Sequence, residues 1–409
     1  MIFGVVRKYL ALISAVFASS QYMGCELEDV GGDDEPVRCE MPEIPAEAGV
    51  VVENGKFLID GTPFLPQGLN SYPLLQHIGE GNTDKVLDIF DQAQRMGRPF
   101  VRTNAFMDGG ENPARIRDWD GTIREQGLEA LDVLLDLAGK QGIRLLLVLT
   151  NNWRDYGGAQ AVVDAVAPGE NLPKDAFWSE KRAVSAQIAY VQTIVSRVNG
   201  QNGRKFGEDP AVFGWVLANE PRCEHRDWCD GDRTLVEWAR HMADALRAGG
   251  ATQPIAWGGA GYLGKYGENL EAIAKDGAVD ILTLHFYPEI SHPTLYNLGF
   301  EERVSRAISI GAETMANRAA LAERENMPLI VEEFGWRPPP SGTDAERDRE
   351  RALVYNGWLR AALRLNIPVF PWMIGESARP DYDGFLIRED HLETVDAISC
   401  DFITPSSLR

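Results

Sequence analysis

The stretch Leu128-Glu129-Ala130-Leu131-Asp132-Val133-Leu134-Leu135-Asp136-Leu137-Ala138-Gly139-Lys140-Gln141-Gly142-Ile143-Arg144-Leu145-Leu146-Leu147-Val148-Leu149-Thr150-Asn151-Asn152-Trp153 contains one complete unit of the fold. Leu128, Leu131, Leu134, Leu135, Leu137 and Ala138 recur at i, i+3, i+4 spacing, which predicts an amphipathic helix. Residues 143–150 then form a short apolar run, a strand signal, and polar Asn151-Asn152 follows it. The same alternation extends in both directions. Strands are expected at 64–68, 100–103, 143–150, 212–218, 255–257, 281–284, 329–331 and 369–372, with helical stretches between them. The weakest helix lies between Trp257 and Ile281. Strands separated by helices imply a parallel sheet, because each parallel crossover needs a connection of that length. Eight such strands close as a (β/α)8 TIM barrel. An open doubly wound sheet would want a glycine-rich phosphate turn after the first strand, and the chain reads Gly68-Leu69-Asn70-Ser71 there.

Ahead of the barrel, residues 50–64 read as a short hairpin turning at Asn54-Gly55, with a second turn at Asp60-Gly61. Residues 25–48 are acidic, rich in Gly and Pro and without apolar periodicity, and so read as a flexible linker. Residues 1–24 read as an export signal: Arg7 and Lys8 precede a short apolar run. Two endings stay open. Ala18, Ser19 and Ser20 permit ordinary cleavage, and Tyr22-Met23-Gly24-Cys25 resembles a lipobox that would lipidate Cys25 and anchor the chain to a membrane. The expectation is a secreted protein or a cell-surface lipoprotein, monomeric, with the catalytic domain at 49–409. Cysteine usage fits export. Besides Cys25, the four cysteines can form two disulfides, Cys223 with Cys229, close in sequence, and Cys39 with Cys400, near the two ends of the folded part. Free thiols are the competing reading in a reducing compartment. A zinc site at Cys223, His225 and Cys229 is disfavoured by the oxidising compartment and by the lack of a second His at suitable spacing. The net charge of −21 argues against nucleic acid as a partner.

On a barrel the chemistry sits at the C-terminal ends of the strands. Arg102-Thr103-Asn104, Asn151-Asn152-Trp153, Asn219-Glu220-Pro221, His285-Phe286-Tyr287, Glu332-Glu333-Phe334 and Trp372 all fall there. Two carboxylates facing one cavity suit glycosidic bond cleavage, one protonating the leaving oxygen and the other attacking. Asn219 can bond a sugar hydroxyl, Arg102 can hold an anionic nucleophile, Tyr287 can donate to the same carboxylate, and Trp372 offers a face for a pyranose ring. Trp153, Trp228 and Trp257 are further candidates for the cleft. His285 is open to either a site role or a satisfied core position. Because side chains alternate along a strand, only one of Glu332 and Glu333 is expected to point inward, the other pairing behind the sheet.

Leu217-Ala218-Asn219-Glu220-Pro221-Arg222 resembles the acid/base motif of glycoside hydrolase family 5, and Glu332-Glu333-Phe334-Gly335 resembles its nucleophile motif. The resemblance implies retention, with Glu220 as acid/base and Glu333 as nucleophile. Arg102, Asn151, Trp153, Asn219, His285, Tyr287 and Trp372 are then substrate-binding or supporting residues, and no cofactor or metal is required. Val101-Arg102-Thr103, Asn151-Asn152-Trp153 and Tyr156-Gly157-Gly158 are most similar to the endo-β-1,4-mannanase branch, so the implied substrate is a β-mannan polysaccharide. The chain departs from that branch at Asn104, where many members carry Trp, and at Val216, where many carry Glu. Asn104 keeps an endoglucanase-like or transglycosylating alternative open; a barrel that binds glycans without turnover is a further one.

Overall fold

The computed structural model describes residues 39–376, 379 and 381–403. Five parallel strands run side by side, β1 (Gly68–Asn70), β2 (Phe100–Asn104), β3 (Arg144–Val148), β4 (Val212–Val216) and β5 (Ile255–Ala256). Three more follow, β6 (Leu282–Phe286), β7 (Leu329–Phe334) and β8 (Val369–Pro371). A parallel bridge from Ala256 to Ile281 joins the two groups. The ring closes at β1, where the Asn70 side-chain amide donates to the Phe370 carbonyl at 3.0 Å and Ile374 N–H to the Asn70 carbonyl at 2.9 Å. The fold is the expected (β/α)8 barrel.

Strands with both faces covered read as continuous apolar runs. Every residue of β3 (RLLLV) and β4 (VFGWV) is buried. Each is flanked by helices whose apolar stripe faces it. In Glu125–Lys140, Leu128, Leu131, Leu134, Leu135 and Ala138 are buried and Leu137 lies at the margin. Full burial of one such Leu contributes roughly 2 kcal/mol. Phe100, Phe213 and Phe370 fill the barrel centre, with ring centroids 4.9 Å apart for the first pair and 6.5 Å for the second.

The N-terminal segment plugs the floor of the barrel. Val50–Glu53, Lys56–Ile59 and Thr62–Phe64 form an antiparallel meander. Its turns fall at Asn54-Gly55 and Asp60-Gly61, all four residues with positive φ, as type I′ turns demand. Phe57 packs on Phe213 at 5.9 Å and Phe64 on Phe100 at 5.8 Å. The first barrel strand is therefore not 64–68: Phe64 ends the meander and β1 starts at Gly68. Pro66, which has no N–H for a ladder, separates the two.

The linker reading is too long. Glu40–Pro42 pairs in parallel with Asp401–Ile403, Cys39 is bonded to Cys400, and Arg144 Nη2 donates to the carbonyls of Pro45 and Ala46. A three-residue strand is too short to display a period, so composition alone hid it. The folded body begins by Cys39 rather than at 49. The export signal and Cys25 lie outside the described residues. Among the described residues no helix is long and apolar enough to cross a membrane.

Candidate active site

The polar strand ends meet in one cleft of about 1120 Å³ at the C-terminal rim of the barrel. Glu220 follows β4 with φ 47°, a left-handed conformation that L-residues adopt at a cost of about 1 kcal/mol. Its N–H donates to the Gly258 carbonyl at 2.8 Å. Gly258 is required there, because a Cβ would stand 2.0 Å from the Ala218 carbonyl oxygen. The turn aims the Glu220 carboxylate into the cleft. Trp153 Nε1–H donates to its Oε2 at 2.9 Å, His285 Nδ1 lies 3.2 Å from its Oε1, and Arg222 Nη2 lies 3.8 Å from its Oε2.

Glu333 stands opposite on β7. Arg102 Nη1 donates to its Oε1 at 2.8 Å and the Tyr287 hydroxyl to its Oε2 at 2.7 Å. Glu220, His285 and Glu333 each bring one oxygen or nitrogen to within 4.8 Å of the other two. Arg102 is itself held on three sides, with Nη2 donating to Asn219 Oδ1 at 2.7 Å and Nη1 to Asn70 Oδ1 at 3.2 Å. Asn219 Nδ2 donates in turn to Asn151 Oδ1 at 3.1 Å. Asn151 thus orients Asn219 from the next strand.

Glu332 does not pair behind the sheet. The β6–β7 register slips between Leu284–Val331 and His285–Glu333, so Glu332 is an extra residue on its strand. Such a bulge breaks the alternation of side chains. Glu332 turns into the barrel, fully buried, where its Oε2 lies 3.3 Å from His285 Nε2 and 3.5 Å from Arg102 Nε. Both glutamates therefore contact the same imidazole. His285 is at once a buried core residue and a bridge between three carboxylates.

These contacts set the charges. Burial raises the Glu220 carboxyl, but the hydrogen bond and charge of His285, the Trp153 N–H and Arg222 outweigh it and hold the group at about 2. Burial lowers the His285 imidazolium, but Glu333, Glu220 and Glu332 outweigh it and raise the group to about 10. Burial and the Glu333 charge push the Tyr287 phenol far above its usual range, which keeps it a neutral donor. The cluster thus favours a charged imidazole whose Nδ1 faces Glu220 at 3.2 Å.

The aromatic candidates separate. Trp372 lines the cleft, its Nε1–H on Asp383 at 3.1 Å and its ring stacked on Tyr72 at 5.6 Å and 17°. Trp153 also lines it, with the Arg222 guanidinium 4.8 Å over its ring. Trp257 does not face the cleft. It is fully buried, and its Nε1–H donates to the buried Glu268 at 3.1 Å. Trp228 packs half-buried against the core outside the cleft. Cys223 and Cys229 are joined as a disulfide, as are Cys39 and Cys400, so neither sulfur near His225 is a thiolate ligand. Asn104 lines the cleft, and Val216 is buried in β4 with packing contacts only. Sequence reasoning missed Asn70, Arg222 and the pair Tyr262 and Tyr266, on a hairpin of strands Leu263–Lys265 and Glu268–Asn269. Placing β1 correctly would have put Asn70 at a strand end with the others.

The family model described as "GH family 5 beta-mannosidase-like" matches residues 48–346. The chain belongs to glycoside hydrolase family 5. It is 30% identical over 310 residues to mannan endo-1,4-beta-mannosidase 4 of Oryza sativa, covering 71% of this chain and 65% of that one. Against mannan endo-1,4-beta-mannosidase 4 of Solanum lycopersicum the identity is 27% over 321 residues, 75% of this chain and 77% of that one. Among solved structures, the endo-1,4-beta-mannanase from Rhizomucor miehei superposes with a TM-score of 0.71 at 25% identity, covering 86% of this chain and 98% of that one. The family 5 chain shares its (β/α)8 barrel with that solved structure.

Proposed function

We propose that this family 5 enzyme is a retaining endo-β-1,4-mannanase acting on mannan, galactomannan or glucomannan. The observation that carries the mechanism is the approach of Glu220 and Glu333 carboxylate oxygens to within 4.8 Å. Retaining glycosidases hold the pair about 5–5.5 Å apart, whereas inverting ones leave at least about 6.5 Å for a water.

In the first step Glu333 attacks the anomeric carbon. Arg102 and Tyr287 bind one oxygen each, which aims the carboxylate at that carbon. Glu220 protonates the departing oxygen. In the free enzyme Glu220 is ionised, so it has to gain the proton from His285 Nδ1, 3.2 Å away. That transfer leaves the net charge of the site unchanged. In the second step Glu220 takes a proton from the water that displaces Glu333 from the sugar with overall retention, and passes it back to His285 Nδ1, restoring the resting site. Asn219, held by Arg102 and Asn151, presents its amide beside the reacting sugar. The mannan assignment rests on the named activities of the relatives. We also read the protein as exported, a reading supported by two disulfides; mass spectrometry of the mature N-terminus tests it, including lipid on Cys25.

The test is a panel of glucomannan, galactomannan, carboxymethylcellulose and xylan, with NMR of the newly formed anomeric centre. Mannan turnover with a β-configured first product is expected, and Glu220→Gln and Glu333→Gln are each expected to abolish it. Turnover of cellulose without mannan overturns the substrate, and an α-configured first product overturns the double displacement.

A further inference from the structure

A second groove of about 520 Å³ opens beside the catalytic cleft, walled by the loops that follow β2 and β3. The two are not separate features. Gln76 and Tyr156 line both, and the Tyr156 hydroxyl donates to Gln76 Oε1 at 2.6 Å on the ridge between them. A row of rings runs toward that ridge from the active site. Trp372 stacks on Tyr72 at 5.6 Å, and Tyr72 meets Tyr156 edge-on at 5.9 Å and 64°.

Beyond the ridge stands Trp119, 62% exposed. Exposure alone says little, but this indole lines a groove, where an aromatic face can serve a ligand. Its ring is seated by the backbone. Gly109 has φ +70°, and a Cβ there would lie 2.3–2.4 Å from three adjacent ring atoms. Near-equal distances to the two fusion atoms and to the next atom of the six-membered ring place Gly109 against the flat of the indole. One face is thus pressed on the main chain, and the exposed surface of the ring belongs to the groove. The loop is braced from behind by a buried Asp108–Arg117 pair at 2.8 Å and by the Asp108 N–H on the Tyr156 carbonyl at 2.8 Å. The polar side chains lining the groove are the carboxylates Glu80, Asp108 and Glu111, the amides Gln76 and Asn112 and the Tyr156 hydroxyl, without a Lys or Arg. An aromatic face with acceptors around it suits a neutral, hydroxyl-rich ligand and repels an anion.

We propose that this groove is an outer subsite for the same polysaccharide that occupies the catalytic cleft, with Trp119 as the stacking platform for a glycosyl unit remote from the scissile bond. The proposal rests on the endo-glycanase reading above. It implies that chain length, beyond what the catalytic cleft holds, is rewarded.

The experiment compares kcat/KM over a graded series of manno-oligosaccharides for wild type, Trp119→Ala, Trp119→Leu and Trp119→Phe, with affinity electrophoresis in galactomannan gels. In wild type, kcat/KM is expected to go on rising with length. In Trp119→Ala the ratio of kcat/KM on the longest to the shortest substrate is expected to fall roughly tenfold, the effect of one lost aromatic contact. Trp119→Leu keeps apolar bulk without a ring and is expected to behave like Ala, whereas Trp119→Phe restores part of the ratio. An unchanged ratio in the Ala and Leu variants, or an equal loss at every length, overturns the outer subsite while leaving the parent function intact. A wild type inactive on every manno-oligosaccharide instead overturns the parent function and, with it, this assignment.

Discussion

Replacing His285 by Asn takes away the one cation that touches all three glutamates. Its Nδ1 lies 3.2 Å from Glu220 and 3.5 Å from Glu333, and its Nε2 lies 3.3 Å from Glu332. The imidazolium is raised from 6.5 to about 10. At about 1.4 kcal/mol per pH unit, that is on the order of 5 kcal/mol of favourable interaction at most. A raised folded value means this stability is fully present below pH 6.5 and is lost as pH climbs through about 10. Glu220 runs the other way. Held at about 2, it contributes stability above pH 4.5 that is lost as pH falls toward 2. The asparagine of His285→Asn can neither store the proton nor hold Glu220 down. The basic limb of the kcat/KM profile, which in wild type reports loss of the shared proton, is therefore expected to move to lower pH by more than a unit, and the high-pH flank of Tm to flatten. The assay is kcat/KM on soluble glucomannan across pH, with Tm at each pH as the folding control. A variant that stays folded and keeps the wild-type basic limb refutes the proton store on His285.

Arg102→Lys keeps the charge but loses the fork that grips Glu333, Asn219 and Asn70 together, so kcat/KM is expected to drop on the order of a hundredfold with little change in Tm; steady-state kinetics check it. Glu289 is buried with neither carboxylate oxygen hydrogen-bonded, and burial raises it to about 7. Its stability contribution is present below pH 4.5 and lost as pH rises through about 7, so Glu289→Gln is expected to be more stable than wild type at pH 8 and no more stable at pH 4, as denaturant titration at the two pH values reads out. Cys39→Ser opens a bond that spans 361 residues, and a loss of a few kcal/mol is expected, with about 6 as the chain-entropy ceiling; wild type under reductant is expected to fall in Tm toward the variant.

The reactive pair was legible because two independent signals coincided at Glu220 and Glu333, an apolar run that ends and a carboxylate at its end. Arg102, Asn219 and Tyr287 followed from the same rule. Glu332 was not legible, since a register slip exists only between two paired strands and leaves no mark on either one alone. Trp257 failed for a related reason: its side chain turns away from the cleft onto the buried Glu268, and an apolar run alone does not show which way its last residue faces. Asn70 was hidden by the misplaced first strand. Residues 40–42 were hidden by an acidic neighbourhood, although the pairing expected of Cys39 and Cys400 already required that stretch to lie against the body.

Both ends of the described chain leave from the side of the barrel away from the cleft. Cys400 N–H donates to the Met96 carbonyl, and Arg98, one residue before Pro99 and β2, donates to the Ile398 carbonyl. The Cys39–Cys400 bond ties these two ends of the described chain to each other beneath the barrel, so strain entering at one is shared by the other instead of reaching the reacting carboxylates.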